Sequence, residues 1–178
     1  MNIFVLDYNP QVAAEYHCDK HVVKMILESA QILCAVHHKV YLKTMKKQYT
    51  PLEMEQSLIA ESLIKEIPYK LTHANHPCTI WAGTSRSNYL WLTELAKHLN
   101  NEFMFRFNHE VNHKSYVVIA NLPDIDLPDT GLTKFAEAMP DYCKVTDCTV
   151  MNYREYYKKE KAHILKYTNA STPYWLGK

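Results

Sequence analysis

Residues 10–37 read PQVAAEYHCDKHVVKMILESAQILCAVH. After Pro10 this run holds neither Gly nor Pro. Its apolar residues Val12, Tyr16, Val22, Val23, Ile26, Leu27, Ala30 and Leu33 fall close to a 3.6-residue period, so the spacing predicts one long helix from Pro10 to about His37. Asn9-Pro10 supplies the N-cap and the first helical residue. On a helical projection His17, His21, Lys24 and Glu28 lie within about 60° of one another. Lys20 and Gln31 border this stripe, and Met25 and Ile32 flank it. Most of the remaining circumference is apolar, which makes the helix central. Its polar stripe is then either a solvated face with a Lys24–Glu28 ion pair or the wall of a pocket. Two His four residues apart favour the pocket wall.

Outward from this helix the chain reads as further helices and long connections. Asn2–Leu6 is a strand or an extended lead-in. The basic stretch Val36–Gln48 (Lys39, Lys43, Lys46, Lys47) is a loop or a helix tail. Thr50-Pro51-Leu52-Glu53 is a capping box that opens a second helix, which ends near Glu66 before Pro68. Tyr69–Thr84 reads as irregular. A third helix, capped by Ser85 or Ser87, runs to about Arg106, and a last helix spans about Val150 to Tyr167. Asn108–Asp147, with Pro123, Pro128, Gly131 and Pro140, reads mostly as loop and is long enough to cover a site. The fold class is all-α, a single compact domain (residues 1–178) of three to four main helices with long irregular connections.

Composition narrows the function classes. In 178 residues there are 20 Lys plus Arg against 19 Asp plus Glu, a net charge of +1. Bulk positive charge therefore does not hold this chain to nucleic acid, and any phosphate contact must use a local patch. Only 3 Gly argue against glycine-loop architectures, whereas 13 Tyr and 10 His supply many groups that stack on a base or bond to one. The five Cys show no paired spacing, no secretory signal precedes them, and no apolar run reaches the roughly 20 residues of a membrane span. A soluble cytoplasmic protein with reduced thiols is expected.

Three clusters carry the candidate chemistry. The first is the stripe. His17 and His21 at i, i+4, with His73 or His76, would suit a metal, but Lys20 and Lys24 on the same face would repel it, so no metal or cofactor is assigned. The second is the turn containing His73, Asn75 and His76, read either as a functional loop or as a structural turn at His76-Pro77. The third is the last helix, where Tyr153, Tyr156 and Tyr157 alternate with Arg154, Lys158, Lys159 and Lys161. That pattern suits phosphate and base contacts, or a solvated amphipathic face diluted by Glu155 and Glu160. On the third helix Asn88, Leu92, Leu95, Leu99, Glu102 and Arg106 share a face. Glu102 and Arg106 form either a buried structural pair or the floor of a site, and Tyr89 and Trp91 read as core.

The stretch NHPCTIWAGTSRSNYLWLTELAKHLNNEFMFRFN (Asn75–Asn108), together with Leu6–Leu33, resembles the pyrimidine-dimer DNA glycosylases, the endonuclease V type of T-even phages and its bacterial relatives. The shared features are an Asn-His-Pro-like turn, a long helix with Tyr near its start and Glu and Arg near its end, and a first helix with Ala-Ala and a His at His17. The run His-Cys-Asp-Lys-His-Val-Val-Lys-Met at His17–Met25 is similar to one in small phage proteins. The resemblance covers about half the chain and implies a compact all-α fold, cleavage of an N-glycosidic bond and no metal. Three features depart from the pattern. The family attacks the sugar with the exposed amine of a small second residue, and here that residue is Asn2. Lys24 stands near the family's catalytic carboxylate, with Glu28 one turn later. The family's strong basicity is missing.

Related chemistry on a small or cyclic nucleotide, in phage–host conflict, is the resulting expectation. Glu28, Lys24, His17, His21 and His76 are the expected catalytic residues. Lys20, Asn75, Asn88, Arg106, Tyr153, Tyr157 and Lys161 are expected to bind substrate. The alternatives are a glycosylase for damaged or modified DNA, a non-catalytic protein that sequesters nucleotides or masks another protein, and a metal-dependent phosphodiesterase through His17, His21 and His73.

Overall fold

The structure, a computed structural model, describes residues 1–46 and 50–177; Lys47 and Gln48, the end of the basic stretch, lie outside the described residues. Every regular element among them is helical. The α-helices are α1 (Pro10–Tyr16), α2 (Asp19–Met45), α3 (Pro51–Glu66), α4 (Pro77–Ala82), α5 (Arg86–Phe107), α6 (Lys114–Ala120) and α7 (Thr149–Glu160). Short 3₁₀ turns lie at 141–143, 162–164 and 174–176. The all-α expectation holds. The four long helices are α2, α3, α5 and α7, joined by three short ones.

Local signals set most helix starts. The Asn9 side chain accepts from the N–H groups of Gln11 and Val12 at 2.9 and 3.3 Å, with Pro10 at the first helical position. Thr50 and Glu53 form the capping box in both directions. Ser85 caps α5, and Asn108, at φ 52°, ends it in the left-handed region.

Three readings are corrected. The predicted single helix from Pro10 is two helices, because the chain is extended at His17 and Cys18. Nothing local breaks it there; Arg106, 89 residues away from His17, donates to the carbonyls of His17 (2.7 Å) and Glu15 (2.8 Å). Those carbonyls would otherwise need helical partners. The last helix ends at Glu160 instead of Tyr167. The residues beyond it tie down the start of α2: the Asp19 N–H donates to Lys166 O at 2.8 Å, and the Asp19 carboxylate accepts from Thr168 N–H and Oγ1. Finally, α4 and α6 occupy stretches read as irregular. Their caps are the imidazoles of His76 and His113, which accept from the N–H groups of Cys78 and Ser115, both at 3.2 Å.

α2 is the hub, packing against α3, α4, α5 and α6, while α1 lies on α5. The most deeply seated non-helical segment is the N-terminal one. Ile3, Phe4, Val5 and Leu6 are each no more than 4% exposed. Their burial is worth on the order of 1.5–3 kcal/mol per side chain. Asn2 organises the segment: its Oδ1 accepts from the N–H groups of Ile3 and Phe4, and its Nδ2 donates to Ala138 O at 2.7 Å. The 108–147 connection therefore does run over this segment. Tyr153 holds it there, donating its hydroxyl hydrogen to Ala136 O and accepting from Ala138 N–H.

Candidate functional site

The N-terminal segment ends against the polar stripe of α2. Glu28 is 9% exposed, and its Oε2 accepts from the backbone N–H of Asn2 at 2.7 Å. Its other oxygen, Oε1, lies 3.3 Å from Nζ of Lys24, a side chain that is 65% exposed. The carboxylate is thus fixed by a main-chain donor on one side and faces a solvated cation on the other. His76, half-buried at the start of α4, stands within electrostatic reach: burial lowers its pKa, and the Glu28 carboxylate works against that shift. Because Nδ1 of His76 accepts from Cys78 N–H, the neutral ring carries its proton on Nε2. The Cys78 thiol beneath is pushed up to about 12 by burial and stays protonated.

A second part of the stripe faces inward. Phe4, at φ 36°, lays its ring on His21 with centroids 4.4 Å apart, and Phe4 stacks on Tyr156 at 5.6 Å. Nζ of Lys161 stands 4.7 Å from the Tyr156 ring centre and 6.0 Å from that of Phe4. Nδ1 of His21 shares a hydrogen bond with the Tyr157 hydroxyl at 2.5 Å. Burial, then His17, Lys161 and Lys24, hold the His21 imidazole down to about 3. His17 is fully buried with Nδ1 2.6 Å from Ala13 O, and burial lowers it to about 4.

The expected site residues therefore separate into two groups. Glu28 pairs with Lys24, His76 stands within electrostatic reach of that carboxylate, and Lys161 lies over the Phe4 and Tyr156 rings. His17 and His21 are neutral core residues on the inner side of the stripe. The structure gives four of the expected substrate-binding residues other partners. Asn88 is fully buried and clamps Trp81 O, Thr133 Oγ1 and Thr133 N–H. Arg106, 1% exposed, adds Glu102 at 2.6 Å to its carbonyl bonds, which answers the structural-pair reading. Tyr153 and Tyr157 are fully buried. Lys20 and Asn75 are exposed and belong to neither group. Tyr89 and Trp91 are core, as expected.

Among the described residues no group of three or more His, Cys, Asp or Glu could hold a metal ion, which removes the geometric basis of the phosphodiesterase reading. No helix among them is long and apolar enough to cross a membrane. All five cysteines are free. The sequence reading assigned no site role to Asn2 or Phe4, and named Tyr156 only as part of the Tyr and Lys face of the last helix. The signal it had was the apolar run Ile3–Leu6, which marks burial but not the use of the Asn2 amide by Glu28. Comparison with family models, with characterised proteins and with solved structures finds no match to this chain.

Proposed function

We propose that the chain hydrolyses the N-glycosidic bond of a small or cyclic nucleotide, with Glu28 at the reacting centre. The observation that carries this reading is the Glu28 carboxylate, nearly buried, fixed by Asn2 N–H and paired with the cation Lys24, with His76 within electrostatic reach. Cleavage of such a bond develops positive charge on the sugar and negative charge on the departing base. A fixed carboxylate stabilises the first or activates water, and a neutral imidazole with its proton on Nε2 donates to the second. Lys24 and Lys161 supply the local cations for a phosphate. With a net charge of +1 the reading favours a free nucleotide over duplex DNA. An activity that removes a nucleotide signal would suit the phage-like resemblance.

Mass spectrometry of base released from free nucleotides, cyclic nucleotides and damaged DNA tests this. Glu28→Gln keeps an acceptor for Asn2 N–H, so the variant is expected to fold while base release falls by about 10²–10⁴. Release unchanged in Glu28→Gln and His76→Ala would reject the site, and no base from any substrate would reject the activity. The competing reading is a nucleotide-sequestering protein, favoured by the engagement of both Glu28 oxygens with Asn2 N–H and Lys24. It requires tight binding with the nucleotide recovered intact.

A further inference from the structure

A cleft of about 460 Å³ lies between the C-terminal half of α2, α4 and the segment 126–128. Its size is that of a small-molecule site. Val36, Val40, Ile80 and Leu127 make its walls apolar. Lys39 and Lys43, four residues apart on α2, stand on one side and Asp126 on another. Lys39 Nζ donates to Ala74 O at 2.8 Å, which leaves it further hydrogens to give. Lys43 and Asp126 have no ion-pair partner among the described residues.

The second observation is at Thr79. This residue of α4 lines the cleft and is fully buried, and its hydroxyl has no hydrogen-bond partner. A buried hydroxyl left unpaired opposes folding, and a Val of the same shape would avoid the penalty. The hydroxyl therefore gains most from a partner that the chain does not provide.

We propose that this cleft binds a heteroaromatic ring carrying a phosphate, of the nucleoside monophosphate class. The ring lies between the apolar walls, and a polar ring atom or sugar hydroxyl completes Thr79. The dianionic phosphate meets Lys39 and Lys43, two cations on one helix face, and Asp126 accepts from a ring or sugar donor. The proposal does not rest on the glycosidase reading, because none of these residues belongs to the Glu28 cluster.

Isothermal titration of the whole chain with AMP, GMP, CMP, UMP and dTMP, each against its nucleoside and against inorganic phosphate, is the test. In the Lys24→Ala chain, whose Glu28 cluster has lost a phosphate cation, at least one monophosphate is expected to bind one site with Kd below about 1 mM, and its nucleoside and phosphate alone at least ~10-fold more weakly. Lys39→Ala and Lys43→Ala should each weaken binding by ~10-fold or more. Thr79→Val should weaken it by roughly fivefold while its melting temperature stays level or rises, a pairing that a purely structural hydroxyl would not produce. A nucleotide held at the Glu28 cluster would instead be weakened by Lys24→Ala and indifferent to Lys39→Ala and Lys43→Ala, which separates the cleft from the proposed reaction. Absence of binding below about 1 mM for all five, binding indifferent to Lys39 and Lys43, or binding lost in Lys24→Ala would each overturn the proposal.

Discussion

Arg106 carries more of the chain's organisation than any residue read as catalytic. Its guanidinium is sealed from solvent, holds the carbonyls of Glu15 and His17, pairs with Glu102 and lies 3.5 Å from Asp19. A planar fork with donors on both terminal nitrogens reaches the carbonyls of Glu15 and His17, at the end of α1, together. Arg106→Ala would leave two carboxylates and two carbonyls without this partner, and urea unfolding is expected to show a loss of about 3–5 kcal/mol. A loss under ~1 kcal/mol would contradict the structural role and favour the alternative reading of Arg106 as the floor of a site. The Glu102–Arg106 pairing was legible from i, i+4 spacing. The two carbonyls were not, because a backbone acceptor has no signature in sequence.

Helix starts and helix ends were unequally legible. Asn9, Thr50 and Ser85 announce their helices because their side chains are standard acceptors for the first orphan N–H groups. His76 and His113 perform the same task with Nδ1, and since imidazole is not among the usual caps, α4 and α6 read as irregular. His113→Asn should keep α6 intact, whereas His113→Ala should cost about 0.5–2 kcal/mol and raise amide exchange across Lys114–Ala120. Equal exchange in the two variants would show that packing against α2 and α5 holds α6 without its cap. The ends of α1 and α7 had no local marker. The end of α1 is set by Arg106, which takes up the carbonyls of Glu15 and His17, whereas α7 passes into the 3₁₀ turn at 162–164 and the chain beyond it is held by Asp19.

At the scale of the molecule, three histidines are buried inside the helical assembly. Burial lowers His17 and His37 to about 4 and His21 to about 3, with His38 contributing at His37. Their folded values lie below the ordinary 6.5, so below that pH the unfolded chain takes up protons that the folded chain refuses. Stability is therefore level above about pH 7.5 and falls as pH drops from 6.5 towards 4. Each histidine contributes a slope of about 1.4 kcal/mol per pH unit inside that window. Urea midpoints at pH 7.5, 6 and 5 check this. His37→Gln is expected to flatten the slope, and equal midpoints at pH 7.5 and 5 would contradict the buried neutral imidazoles.

The all-α class and the starts of α1, α3 and α5 followed from the amino-acid sequence by itself, because periodicity and capping are contacts between near neighbours. The grouping of His17, His21, Lys24 and Glu28 on one face of a helix was also legible, but a helical projection gives angles and not what stands opposite. Only the tertiary structure decided that Phe4 and Tyr157 cover His21 while Lys24 stays in solvent. It also decided that the amide of Asn2, 26 residues from Glu28, orients the carboxylate. Whether a polar side chain is a core residue or part of a site depends on its long-range neighbours, and those exist only once the chain has closed on itself.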